Sequence, residues 1–326
     1  MSGDNKSIRG TNQYSFDPTY GYSLKQLLAV KTPKEPKDFD CFWQKRYEKA
    51  LTIVPKLYTK TIEDRLGWVV YDIRYTSTDN FPIRGWLLLP TSGVIKRGFI
   101  VGHGYGGRDE PDFHLPFKDA AMLFPCFRGL SLSAQPFISS DPYWHVLHDI
   151  SLKDRYILGG CVEDVWLAVS VMLFLFPQAT GHLGYLGISF GGGIGALALA
   201  WESRISKGHL NIPTLGHQPL RLRLPTNGSA YSVQQFYRTH KKQTLKVLRY
   251  YDAALAAKRI TMPIHCACAK FDPCVAPPGQ FAIYNALSGE KHLFILDAGH
   301  HNYPNQALQE YELIKELDDF FAPLSE

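Results

Sequence analysis

Leu183-Gly184-Tyr185-Leu186-Gly187-Ile188-Ser189-Phe190-Gly191-Gly192-Gly193-Ile194-Gly195-Ala196-Leu197-Ala198-Leu199-Ala200 decides the fold of this chain. The apolar run up to Ile188 has the length of a buried strand. The small-residue run from Ile194 has the composition of a buried helix. Between them lies Gly187-Ile188-Ser189-Phe190-Gly191, whose glycines stand two residues either side of a serine. A strand that enters a helix through so sharp a turn strains the serine backbone and lifts its hydroxyl clear of the sheet edge, with the helix N-terminus behind it. The pentapeptide alone is short enough to recur by chance, and the strand before it and the glycine-rich helix start after it carry the reading.

Outward from this turn, strands and helices alternate. Phe99–Gly102, Ala121–Cys126, Leu183–Ile188, Thr214–His217, Pro263–Ala269 and Leu293–Leu296 read as buried strands. Val162–Phe176, Ile194–Glu202, Val233–Ile260, Gly279–Leu287 and Ala307–Phe321 read as the helices between and after them. Such alternation implies a mostly parallel sheet covered on both faces. Before it, Trp68–Tyr75 and Ile83–Leu89 flank the polar turn Ser77-Thr78-Asp79-Asn80 and read as an antiparallel hairpin at one end of the sheet. Residues 38–54 space Phe39, Phe42, Trp43, Tyr47 and Leu51 at helical intervals. Residues 1–37 read as an arm, and residues 38–326 as a single domain. Residues 128–160, with Pro136, Pro142, Tyr143-Trp144-His145 and His148, fit no element; an aromatic loop beyond a strand end is a natural pocket wall.

With 326 residues, 45% hydrophobic and 20% charged, the chain is long enough for one large α/β domain, and its net charge of +5 without a basic block gives no footprint for nucleic acid. The polar start Met1–Gly10 lacks an apolar signal core, and no apolar stretch is expected to span a membrane. A cytoplasmic protein without a membrane partner is the expectation. The six cysteines form no CxxC pair. Cys266 and Cys268, beside His265, are read as reduced core thiols in preference to a metal site.

A serine hydroxyl needs a base to become a nucleophile, and the base needs an acid to orient it. In α/β hydrolases the acid and then the histidine follow late strands. Asp272 comes after the strand ending at Ala269, and His300 after the strand ending at Leu296. Asp297 lies too near His300 in sequence to serve it easily, and Asp252 reads as the cap of the helix beginning at Ala253. His301 is the neighbour that could replace His300, which is favoured because it directly follows Gly299. Two backbone amides are needed for a developing oxyanion: Phe190 after the serine, and Tyr105 in Gly102-His103-Gly104-Tyr105-Gly106-Gly107. His103 is read as packing behind that loop. The arrangement needs no metal or cofactor. A peptidase or another carboxylesterase of this architecture, and a non-catalytic scaffold, are the competing functions.

His103-Gly104-Tyr105-Gly106, Arg128-Gly129, Asp164–Pro177, Gly187–Gly192, Tyr250-Tyr251-Asp252, Ala257–Ile260, Pro277-Pro278, Phe281–Ala286 and Gly299-His300, in that order, resemble the acetyl xylan esterase / cephalosporin C deacetylase family of α/β hydrolases over roughly residues 35–322. The resemblance implies the α/β-hydrolase fold, a serine esterase removing acetyl groups from xylo-oligosaccharides and small acetyl esters such as cephalosporin C, and a ring-like homohexamer. Leu130 stands where the family has glutamine after Arg-Gly, Phe190 where it has glutamine after the nucleophile, and His301 where it has glutamate after the histidine. The loop from Asp272 to Pro277 is one residue longer. With Arg128, Leu130, Trp144 and His301 as pocket residues, these changes imply a more apolar pocket.

Overall fold

The computed structural model describes residues 13–322, and the polar stretch Met1–Gly10 falls outside them. Nine strands form one sheet: β1 (Tyr58–Arg65), β2 (Trp68–Thr76), β3 (Pro82–Pro90), β4 (Arg97–Gly102), β5 (Ala120–Pro125), β6 (Leu183–Ile188), β7 (Lys207–Asn211), β8 (Ile264–Ala269) and β9 (Lys291–Leu296). Their order is β1-β2-β3-β5-β4-β6-β7-β8-β9. The run from β5 to β9 is parallel, and β1, β2 and β3 join it antiparallel.

Side chains of the parallel strands point alternately to two cores, as the period of two requires. In β4 and β5, Ile100, Ala121 and Leu123 enter the larger core, while Phe99, Val101, Met122 and Phe124 enter the smaller one. Helices α1 (Phe39–Leu51), α2 (Ile157–Leu175), α3 (Phe190–Leu199), α4 (Ala230–Thr239), α5 (Lys241–Leu248), α6 (Ala253–Ala257) and α7 (Pro277–Ala286) contribute to the first. Helix α8 (Gln306–Phe321) closes the second with Leu313, Leu317 and Phe321. Both faces are therefore covered, which is why the strands read as unbroken apolar runs.

Four expectations change. The hairpin is β2–β3 in register Trp68↔Pro90 to Thr76↔Pro82, but β1 lies outside it and forms the sheet edge. Every residue of β1 is exposed, so its sequence, Tyr58-Thr59-Lys60-Thr61-Ile62-Glu63-Asp64-Arg65, carries no buried-strand pattern to find. Thr214–His217 is not a strand; that place belongs to Lys207–Asn211, and the chain beyond it turns through positive φ at Ile212, Leu215 and His217. The span Val233–Ile260 is three helices, broken at His240 (φ −123°, ψ 37°) and again before Asp252, whose carboxylate caps α6 by accepting from the Ala254 amide. Finally, α2 is 19 residues long and apolar enough to cross a membrane by length and composition, contrary to the expectation that no stretch is. Most of its side chains are buried against the sheet and α1 and α3.

Strand order places the functional loops together. Between β3 and β6 the chain passes β4, moves outward to β5, then crosses back to β6 on the other side of β4. The crevice at such a switch point opens at the carboxyl ends of the strands. Gly102 pairs with Gly187, so the loop after β4 and the turn after β6 emerge side by side.

Candidate active site

Ser189 sits between β6 and α3 with φ 51° and ψ −104°, a strained backbone for a residue with a side chain. Its amide donates to the Asn211 carbonyl (2.8 Å), and its carbonyl accepts from the amides of Gly193 (3.0 Å) and Thr214 (3.0 Å). The turn is too tight for side chains two residues away. A Cβ on Gly187 would lie 2.4 Å from the Gly191 carbonyl oxygen, and a Cβ on Gly191 2.7 Å from the Gly102 backbone.

His300 Nε2 lies 2.9 Å from Ser189 Oγ, and its Nδ1 lies 2.8 and 3.1 Å from the two carboxylate oxygens of Asp272. With the ring proton on Nδ1, that nitrogen donates to Asp272 and Nε2 accepts from the serine hydroxyl. Asp272 is fully buried. Its Oδ1 also accepts from the amides of Cys274 and Val275, both at 2.8 Å, and its Oδ2 from Gln280 Nε2 at 3.0 Å. Gln280 is buried in α7, accepts from the Ala269 amide (2.8 Å) and donates to the Val275 carbonyl (2.7 Å), tying the acid loop to the end of β8. The loop of Gly299 presses on the same carboxylate: a Cβ there would lie 2.5 Å from Asp272 Oδ2. The arm contributes as well. The Asp272 amide donates to the Pro18 carbonyl (3.1 Å), and the Tyr20 hydroxyl donates to the Pro225 carbonyl (2.7 Å).

Opposite His300 stands the loop after β4. Neither the Tyr105 amide nor the Phe190 amide donates to a protein acceptor among the described residues, as the first residues of a tight turn and a helix should not. The two side chains stack with centroids 3.9 Å apart, Phe190 being fully buried beneath Tyr105. The Tyr105 hydroxyl donates to His145 Nδ1 (3.0 Å), whose Nε2–H donates to the Arg128 carbonyl (2.9 Å). Burial pulls the His145 pKa down to about 4. His103 packs behind the loop as expected: it accepts from the Phe127 amide at Nε2 (3.0 Å), donates to the Gly104 carbonyl from Nδ1 (2.6 Å), and burial lowers its pKa to about 3. Both imidazoles are neutral near neutral pH.

Ser189 and His300 open on a cavity of about 610 Å³. His301 lines it, with Nδ1 3.0 Å from the Tyr14 hydroxyl. The other three expected pocket residues are elsewhere. Arg128 is buried in an ion pair with Asp164 (2.7 Å) and also donates to Ser77 and Thr78. Leu130 is in the core. Trp144 is exposed, while its neighbour Tyr143 turns into the cavity wall, its hydroxyl donating to the Asn227 carbonyl (2.5 Å). Leu130 and Phe190 therefore do not make the cavity apolar, because neither side chain reaches it. Tyr143 lies in the loop read from sequence as a pocket wall, whereas Gln280, Asn211 and Arg221 were not legible as site residues, since no motif marks them and tertiary packing alone brings them here. Asp297, set aside on spacing, pairs with Lys270 (2.9 Å). Cys266 and Cys268 are buried free thiols; burial pushes the Cys266 pKa up to about 12.

A family model described as acetyl xylan esterase matches residues 20–318. Among solved structures, an acetyl xylan esterase from a Paenibacillus species superposes with a TM-score of 0.79 at 21% identity, covering 90% of this chain and 99% of that one. Acetyl xylan esterase 1 from a Thermoanaerobacterium species gives 0.76 at 19% identity, covering 93% and 99%. The Pyrococcus horikoshii acylaminoacyl peptidase gives 0.60 at 17% identity over 80% of this chain and 42% of its own. At these identities the structures establish the α/β-hydrolase fold.

Proposed function

From the premise that this chain belongs to the acetyl xylan esterase family, and so is a carboxylic ester hydrolase, we propose that it removes acetyl groups from acetylated sugars such as xylo-oligosaccharides, and from similar small acetyl esters, through Ser189, His300 and Asp272. The observation that carries the reading is the unbroken relay from serine to imidazole to buried carboxylate at 2.9 and 2.8 Å on the cavity floor. His300 Nε2 takes the hydroxyl proton as Ser189 Oγ attacks the acetyl carbon. The free amides of Tyr105 and Phe190 receive the oxyanion, and each such donor is worth about 3 kcal/mol at the transition state. Collapse breaks the bond to the alcohol oxygen, which leaves with the proton from His300. Water then gives its proton to His300 and attacks the acetyl-serine. Acetate departs, and Ser189 recovers its proton. Asp272 stays ionised throughout, holding the imidazole with its proton on Nδ1.

The test is acetate release from acetylated xylo-oligosaccharides, and p-nitrophenyl acetate against butyrate, for wild type and Ser189→Ala. Turnover of the acetyl substrates that Ser189→Ala abolishes is expected; equal turnover by the variant overturns the reading. The implied homohexamer is proposed too, and the free edge of β1, exposed along its whole length, supports it, since unpaired strand edges invite pairing. Sedimentation at micromolar concentration decides it.

A further inference from the structure

Among the described residues, Arg221 is the single Arg or Lys in the wall of the reaction cavity. It ends the short turn Gln218–Arg221, whose backbone is fixed: Asp252 accepts from the amides of His217 (3.0 Å) and Gln218 (2.6 Å), and Gln234 donates to the Arg221 carbonyl (2.7 Å). The guanidinium itself has no such partner. Among the described residues it makes no ion pair, and its Nη1 is a fully buried donor without an acceptor. The acids nearby are committed elsewhere. Asp252 accepts from three backbone amides, Asp272 holds His300, and Glu310, the one carboxylate on the cavity wall among the described residues, is exposed and bonded to Gln306. The nearby phenols of Tyr105 and Tyr156 give their protons to His145 and to the Val146 carbonyl. Burial draws the Arg221 pKa down, yet a guanidinium keeps its proton. The side chain is only partly exposed, and a guanidinium that lines a cavity with one donor shut off from water and no protein counter-ion is placed to meet an anionic ligand.

A second orphan lines the same cavity. Asn211, at the end of β7, spends its backbone carbonyl on the Ser189 amide, while its side-chain Oδ1 is buried with no donor. The cavity lining thus offers a forked donor set for a carboxylate and an unmet acceptor for a hydroxyl. Resting on the reading of Ser189 as the nucleophile of an acetyl esterase, we propose that Arg221 and Asn211 form an acid-recognising subsite, selecting acetyl esters whose alcohol part carries a carboxylate beside free hydroxyls, as an acetylated uronic acid does. The acetyl group is too small to bring the charge, so the alcohol part must.

The test uses pairs of probes that differ at the acidic group. D-glucuronate and D-glucuronamide are compared as competitors of p-nitrophenyl acetate hydrolysis by the wild-type protein, and 4-acetoxybenzoate and its methyl ester as substrates. Glucuronate should compete about tenfold or more better than the amide, and this advantage should shrink with added salt. In Arg221→Gln, the ratio of kcat/KM for 4-acetoxybenzoate over its methyl ester should fall about tenfold or more; Arg221→Lys, a point charge without the planar fork, should fall between. Equal competition by the two sugars in the wild type, or an unchanged ratio in Arg221→Gln, overturns the subsite. Calorimetry of glucuronate with Ser189→Ala separates the two ideas. Saturable binding that Arg221→Gln removes, together with a wild-type protein that turns over no ester, would overturn the esterase reading and keep the subsite. Turnover without charge selectivity would do the reverse.

Discussion

Replacing Gln280 with Met keeps the side chain's length and removes its hydrogen bonds. Three groups lose a partner: the Ala269 amide, the Val275 carbonyl and Asp272 Oδ2, now at 2.8, 2.7 and 3.0 Å. Gln280 is fully buried, so bulk water does not replace it. Asp272 Oδ2 still holds His300, so two groups are left unpaired, at about 1–3 kcal/mol each and about 2–6 kcal/mol together. At roughly 2 °C per kcal/mol for a domain of this size, melting should fall by about 4–12 °C. Asp272 keeps the two amides of Cys274 and Val275, so the imidazole is loosened and not released. A loss in kcat of about tenfold, or about 1.4 kcal/mol, is expected, with little change in KM because Gln280 does not line the cavity. Thermal unfolding and p-nitrophenyl acetate kinetics on one preparation give both numbers. A variant that melts within about 2 °C of wild type and keeps kcat within about twofold would refute the idea that α7 positions the acid.

Asp272→Asn should lower kcat by about 10⁴-fold, because the two loop amides hold the remaining oxygen and turn Nδ2 toward His300, forcing the wrong tautomer; ester kinetics at neutral pH measure it. Asp164→Ala should cost about 3–5 kcal/mol by stranding the buried Arg128, while substrate selectivity stays unchanged, since Arg128 lies away from the cavity; urea melts with paired ester assays check both halves. His145 has a folded pKa of about 4, below the unfolded value near 6.5, so the unfolded chain takes the proton first. Its contribution is present above about pH 6.5 and is lost as pH falls towards 4, for a total of about 3 kcal/mol. In His145→Phe the stability curve between those values should flatten, and an unchanged slope would count against a neutral, buried imidazole.

Local chemistry carried the central part of the site. Ser189, Asp272, His300, Tyr105 and Phe190 each follow a parallel strand, and strands of one parallel sheet release their loops at the same edge. Order along the chain therefore nearly determines convergence in space. The same logic explains why Asp252 was legible as a cap: capping involves residues two apart. Where a reading depended on burial, sequence was weaker. The exposed strand β1 has no apolar pattern, and the stretch from Val233 to Ile260 does not record that its backbone breaks at His240 and before Asp252.

The pocket wall shows the limit most clearly. Arg128 and Trp144 sit in the loop that sequence marks as a wall, yet Arg128 turns inward to Asp164 and Trp144 outward to solvent. Arg221 and Asn211 carry no motif and come to Ser189 from segments 32 and 22 residues later in the chain. Sequence by itself determined seven of the nine strands, the edge at which chemistry gathers and the residues of the proposed relay, because these follow from strand periodicity and backbone strain. Only the tertiary structure decided which side chains face the substrate and which charge is left without a partner, because a side chain's direction and its counter-ion depend on what other segments pack beside it.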